Sequence, residues 1–195
     1  MAYEYEIFLS YRRSSTVGLW VRNHLKPRLE ARLDEVGPEV VRICGDFDIE
    51  SGARWPDELK HNLRVSGLWL SVWSADYFRS SWCMAEWRSF REREQMLGLF
   101  SSGRPQGLIY PIRYADGEHF HPEALLSQCN KDFSRLNYPD DVFRHSPKYI
   151  EFDEIVQQMA QELVRRLQSL PPWRADFPIV EPAPLQAASI PRPVL

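Results

Sequence analysis

Trp82 and Glu86 lie four positions apart in the stretch Ser80-Ser81-Trp82-Cys83-Met84-Ala85-Glu86-Trp87. In a segment of helical character that spacing projects both side chains from one face. An aromatic plate beside a carboxylate can hold a sugar joined to a flat, positively charged ring. The carboxylate can also steady positive charge that develops on the sugar when its glycosidic bond breaks. The plain alternatives are a Trp82 packed at a helix start and a Glu86 solvated on a helix surface. A second group with chemical use is Arg12-Arg13, whose guanidinium forks match pyrophosphate oxygens. An exposed pair in surface salt bridges is the competing reading. Tyr11, just before them, is expected to pack beneath a site rather than react.

The elements that must position these residues follow from hydrophobic patterning. Tyr5 to Tyr11 is short, apolar and rich in strand formers, and reads as a buried first strand. Val21, Leu25, Leu29 and Leu33 form one helical stripe that Gly37-Pro38 closes. Glu39 to Cys44 predicts a second strand, and the polar run from Gly45 to Arg54 a loop. Trp55-Pro56 opens a helix to about Val65, with proline where its missing N–H is harmless. Gly67 to Val72 predicts a third strand. A connection from Ser74 to Ser81 then leads to the Trp82 helix, which Ser80 or Ser81 can cap and which reaches about Leu97. Gly107 to Arg113 reads as a fourth strand, placed near an edge or strand end because Pro111 cannot donate to a ladder. Residues 114 to 148 read as irregular with at most a short helix. Tyr149 to Phe152 is expected as a brief fifth strand. Ile155, Met159, Leu163 and Leu167 mark a closing helix.

Strands alternating with helices predict an α/β fold: a flavodoxin-like parallel sheet of five strands with helices on both faces. Ligand loops then gather at the carboxyl ends of the strands. Arg12-Arg13 follows the first strand, where such a ligand would sit.

Length and composition bound the reading. The 195 residues are 44% hydrophobic and 26% charged, which fits one domain plus an extension. A net charge of −3 gives no basic excess for a nucleic-acid footprint. Three scattered cysteines, Cys44, Cys83 and Cys129, argue against a disulfide frame or a zinc site and for a reducing cytoplasm. The acidic start lacks a secretory n-region, and the apolar runs fall far short of the ~20 residues of a membrane span. Seven of the fifteen prolines fall between Pro171 and Leu195. This divides the chain into a domain over 1–170 and a proline-rich tail over 171–195, read as a linker or docking arm that forms no core element.

Several short motifs now fall into one order. Glu6-Ile7-Phe8-Leu9-Ser10-Tyr11-Arg12-Arg13 resembles the first box of Toll/interleukin-1 receptor (TIR) domains. Phe47-Asp48-Ile49-Glu50-Ser51-Gly52 resembles the long loop after their second strand. Leu70-Ser71, Tyr77 and Ser81-Trp82-Cys83-Met84-Ala85-Glu86 resemble their third strand and the helix after it. The likeness spans roughly residues 3 to 169.

In NAD-cleaving members the glutamate of this Trp-x-x-x-Glu pattern is catalytic, and the resemblance carries that role to Glu86. It implies an NAD+ glycohydrolase or ADP-ribosyl cyclase of bacterial type, with NAD+ as substrate and no cofactor. Similar arginines follow the first strand in NAD-cleaving members, which makes Arg12 and Arg13 substrate contacts; Tyr11, Phe47 and Trp82 are the further substrate-site candidates, read from the residues themselves. The resemblance further implies self-association through the loop at 46–54 and a role in antiphage signalling; the proline-rich composition of the tail, by itself, suggests a connection to a partner or a downstream domain. Phe47 would cover the adenine or nicotinamide, or else anchor its loop. A signalling adaptor without activity and a nucleoside 2-deoxyribosyltransferase-like enzyme are the alternative functions.

Other patterns carry less. Asp46, Asp48 and Glu50 lack the remaining ligands of a calcium loop. His119 and His121 have no third ligand in frame for zinc. No GxGxxG and no GxxxxGK[ST] is present, so a Rossmann hydride carrier or a P-loop is not expected.

Overall fold

The computed structural model describes residues 2–13, 16–45, 55–99, 107–115, 117–118, 120–125 and 129–182. The loop at 46–54, with Phe47, Asp46, Asp48 and Glu50, lies outside the described residues, as do His119 and the tail beyond 182.

β1 (Tyr5–Ser10) pairs in parallel with β2 (Ile43–Gly45) on one side and β3 (Ser66–Trp73) on the other. β4 (Ile109–Arg113) follows β3, and β5 (Lys131–Asp132) closes the sheet. The order is β2-β1-β3-β4-β5. This is the flavodoxin-like order, whose direction of winding reverses between β1 and β3. Every residue of β3 is buried, because a central parallel strand is covered on both faces.

Trp69 and Trp73, four positions apart, share one face of β3. Trp69 meets Tyr77 and Phe90; Trp73 meets Phe78 and Trp87. These partners come from α4 (Ala75–Phe78) and α5 (Ser81–Met96). On the other side Trp20, from α1 (Thr16–Trp20), packs edge-on against Phe133 and Phe152. α3 (Trp55–Val65) leads into β3, and the short α6 (Pro122–Leu125) precedes β5.

The stripe of Val21, Leu25, Leu29 and Leu33 is fully buried, as its spacing predicts. The helix that carries it is interrupted, however. Between α1 and α2 (Lys26–Val36) the segment Val21–Leu25 is a π turn, with the Lys26 N–H reaching the Val21 carbonyl. Pro27 explains this. It lacks the N–H that would close on Asn23 one turn earlier. The Asn23 carbonyl instead accepts from Arg144 Nη2 at 2.5 Å.

Pro111 sits within β4, and its place follows from its missing donor. Its carbonyl accepts from Asn130 N at 2.8 Å on the β5 side. β5 pairs with β4 only at Ile112 and Arg113. Among the described residues, no ladder bond falls on the vacant N–H position.

The fifth strand is Lys131–Asp132, not Tyr149 to Phe152. The latter residues are the first turns of α7 (Lys148–Leu167). Tyr149 and Phe152, three apart, both contact Phe143 of a 3-10 turn at Asp141–His145, so the run has helical rather than strand periodicity.

α7 is tied to α2 by Asp153. Its carboxylate accepts from Arg28 Nε and Nη2 and from Arg32 Nε and Nη2. Hydrogen bonding from Arg28, then from Arg32, holds its pKa at about 2 against the opposing effect of burial. A carboxylate with a depressed pKa contributes stability above its unfolded value, and loses that contribution as pH falls through the folded one. Asp153→Asn is therefore expected to cost on the order of 1 kcal/mol at neutral pH after solvent screening. The difference from wild type should shrink between about pH 4 and pH 2, read from urea midpoints across that range.

The stretch from 171 to 182 forms no helix or strand, yet it packs on the domain. Tyr3 donates to the Pro171 carbonyl at 3.0 Å, and Trp173 Nε1 to the Arg64 carbonyl at 3.2 Å. The Val180 N–H donates to Ser89 Oγ at 2.9 Å, and Lys60 pairs with Glu181 at 2.5 Å. Phe177 is 2% exposed and belongs to the interior. The tail thus contributes a core side chain that composition alone did not suggest.

Candidate functional site

In open α/β sheets ligands bind outside the carboxyl ends of the strands at the winding reversal, which here falls between β1 and β3. Ser10 is the last residue of β1, and Tyr11, Arg12 and Arg13 follow it. On the β3 side two serine caps set the helices. Ser74 accepts from Tyr77 N at 3.2 Å and starts α4; Ser80 accepts from Cys83 N at 3.3 Å and starts α5. Satisfying these first-turn donors fixes where each helix begins. That fixes which side chains face the sheet.

Glu86 is thereby turned inward. It is 6% exposed, and its Oε2 accepts a hydrogen bond from Ser10 Oγ at 2.5 Å. Ser10 Oγ also lies 3.0 Å from the Tyr77 hydroxyl, which donates to the Cys83 carbonyl at 3.0 Å. Burial first, then the neighbouring Cys83 and Glu86, raise the Tyr77 pKa well above its usual value, against the hydrogen bond with Ser10. The phenol therefore keeps its proton at neutral pH. The polar chain runs from the tip of β1 through α4 to the first turn of α5.

Of the residues singled out in the sequence, Glu86, Trp82 and Tyr11 lie on the elements that meet here. Trp82 is half-buried against the core one helical turn before Glu86, and Tyr11 is buried. Arg12 and Arg13 are exposed in the turn after β1. Trp87 is packed among Trp73, Phe78 and His121. The patterning gave no role to Ser10 or Tyr77. The signal for Ser10 was nonetheless present: it is the one hydroxyl in the otherwise apolar run Ile7-Phe8-Leu9-Ser10, at its carboxyl end.

The turn that carries the two arginines rests on α1. A Cβ at Gly18 would lie 2.2 Å from the Arg13 carbonyl oxygen, so only glycine permits this approach. Gly18→Ala must push the turn away, with an expected loss of about 1–3 kcal/mol. Chemical denaturation of the variant checks it. A midpoint equal to wild type would show that the turn is not seated there.

A flavodoxin-like α/β protein with a carboxylate buried at its winding reversal is the class that fold and site define. The family is more specific. A model for the TIR domain matches residues 7–156, and the chain belongs to the TIR domain family. No curated protein matches the sequence. Among solved structures, the chain is similar to the TIR domains of the activated Roq1 resistosome directly recognizing the pathogen effector XopQ. That match has 16% identity, covers 85% of this chain and 98% of that one, and has a TM-score of 0.43. It is also similar to the TIR domain of the Toll-related receptor TRR-2 from Hydra magnipapillata. Here identity is 18%, coverage 72% of this chain and 97% of that one, and the TM-score 0.44. Among the described residues no helix is long and apolar enough to cross a membrane.

Proposed function

We propose that this TIR domain cleaves the bond between nicotinamide and ribose in NAD+. The observation that carries the reading is the placement of Glu86. It is a carboxylate turned inward at the winding reversal, on the helix face it shares with Trp82. Nicotinamide leaves as a neutral base from a cationic precursor. Its departure needs no proton, so the paired carboxylic acids of ordinary glycosidases are not required. One carboxylate suffices to hold the ribose and to stabilise the developing oxocarbenium charge. Trp82 would stack on the ribose or the nicotinamide ring, Tyr11 would support the site from beneath, and Arg12 and Arg13 would contact the pyrophosphate. Phe47 would belong to the same site through its loop.

Water capture of the ribosyl cation gives ADP-ribose, and capture by the same molecule gives a cyclic isomer. Activity in a self-associated form, and a place in antiphage signalling, belong to the same proposal. They rest on membership of the family.

The test is direct. The purified chain, with a crowding agent or on a bead surface to promote assembly, is incubated with NAD+ and nicotinamide release is followed by chromatography. Release at a rate above the protein-free control supports the proposal. No release, with TIR–TIR binding retained, points to an adaptor. Turnover of deoxynucleosides but not NAD+ points to a deoxyribosyltransferase-like enzyme.

A further inference from the structure

Glu86 is held from the sheet, not only from its own helix. We infer that Ser10 is a positioning residue, whose hydroxyl fixes the Glu86 carboxylate in its working orientation with Tyr77 backing it. The kinetic part of this inference rests on the glycosidic reading above.

The Ser10 hydroxyl has one proton, and in donating it to Glu86 Oε2 at 2.5 Å it leaves its oxygen as acceptor toward Tyr77 at 3.0 Å. The phenol proton is then shared between Ser10 Oγ and the Cys83 carbonyl, 3.0 Å away. Cys83 precedes Glu86 by three residues on α5. The same pair of hydroxyls therefore anchors both the backbone of the first helical turn and the carboxylate one turn further on. Ser10, Tyr77 and Glu86 are all buried, so none of these bonds competes freely with water.

A glutamate has three side-chain torsions, and at a helix surface it samples several rotamers. A donor on the last residue of a strand removes that freedom. A donor to a carboxylate also favours its charged form, which is the form that can stabilise an oxocarbenium ion.

Ser71 supplies an internal control. It is in register with Ser10 on the neighbouring strand and is fully buried. Its hydroxyl finds no hydrogen-bond partner among the described residues. Losing it removes an equal group from the next strand without touching the Glu86 link.

The experiment compares wild type, Ser10→Ala, Ser10→Thr, Tyr77→Phe and Ser71→Ala. With NAD+, Ser10→Ala is expected to lower kcat about tenfold at an almost unchanged KM. The acid limb of its kcat–pH profile should move to higher pH. Ser10→Thr, which keeps the hydroxyl, should restore most of the rate. Tyr77→Phe should move both quantities in the same direction but less. Ser71→Ala should match wild type. A Ser10→Ala enzyme with wild-type kcat and an unmoved acid limb overturns the inference. So does a Ser71→Ala enzyme with the same defect, because the effect would then be one of packing.

A second readout needs no turnover. The titration of the Glu86 carboxyl is followed by carbon-13 NMR in glutamate-labelled protein and assigned with Glu86→Gln. Its midpoint should rise in Ser10→Ala, or in Tyr77→Phe if the first variant does not fold. An unmoved midpoint overturns the positioning role. If wild type releases no nicotinamide while the midpoint still rises, the glycosidic reading fails and the Ser10 link stands.

Discussion

Glu86→Gln should abolish nicotinamide release while leaving the fold intact. The substitution keeps the length and planarity of the side chain. Its amide oxygen can still accept the Ser10 proton that Glu86 Oε2 now takes at 2.5 Å. The negative charge alone is lost. If that charge faces an oxocarbenium ion in a buried site, its removal acts on the transition state and hardly on the bound substrate. A preorganised group of this kind is worth about a thousandfold in rate, or about 4 kcal/mol of barrier. The loss should therefore appear in kcat, with KM little changed, because Trp82 and the two arginines would still hold the substrate. Stability should not fall, since a neutral amide is no costlier to bury than a carboxylate. The assay is nicotinamide chromatography beside a thermal melt. A variant that turns over at the wild-type rate removes Glu86 from the chemistry. A variant that loses activity only because its melting temperature collapses makes the carboxylate a structural group.

What the sequence could foretell divides along a physical line. Short-range periodicity located the stripe of Leu25, Leu29 and Leu33, the all-buried β3 and the closing helix, because burial of one face dictates which positions are apolar. The helix that places Trp82 one turn before Glu86 was legible for the same reason, though its cap was open between Ser80 and Ser81 and the structure assigns it to Ser80. The fifth strand was not. Two residues at an edge carry no periodic signal, and the aromatic run Tyr149 to Phe152 has a β-like composition that its helical packing overrides. Ser10 and Tyr77 were visible as residues but not as partners of Glu86. They are joined to it across 76 and 9 positions of chain, and only the winding order brings β1 beside β3. Pro27 shows a third kind of limit. Its missing N–H is plain in the sequence, but the π turn that absorbs it depends on Arg144, from a distant segment, reaching the Asn23 carbonyl.

The proline-rich segment is where composition and structure diverge most, and it carries the second large effect. A chain ending at Leu170, where the composition changes, should melt about 10 °C below the full chain, and Phe177→Ala should account for much of that drop. The reason is Arg93. Its side chain is fully buried on α5, donating at 2.7 Å to the carbonyls of Ser66 and Leu63 where α3 meets β3. The guanidinium lies between the rings of Phe90 and Phe177, 4.1 and 4.2 Å from their centroids. Burial lowers its pKa to about 10, so it remains charged at neutral pH. Phe177 supplies one of the two aromatic faces that make this buried charge tolerable. Its own burial is worth about 3–5 kcal/mol by the usual cost of a Phe→Ala cavity. Truncation also removes the Val180 bond to Ser89, which lies on α5 three residues beyond Glu86. The helix that presents Glu86 would thus lose a restraint at the same moment that Arg93 gains access to water. Arg93→Met separates the two contributions. It keeps an apolar stem between the rings without a charge to solvate, so adding Phe177→Ala to it should cost less than Phe177→Ala alone. Equal costs in both backgrounds would mean that the segment acts through packing area and not through the cation it covers.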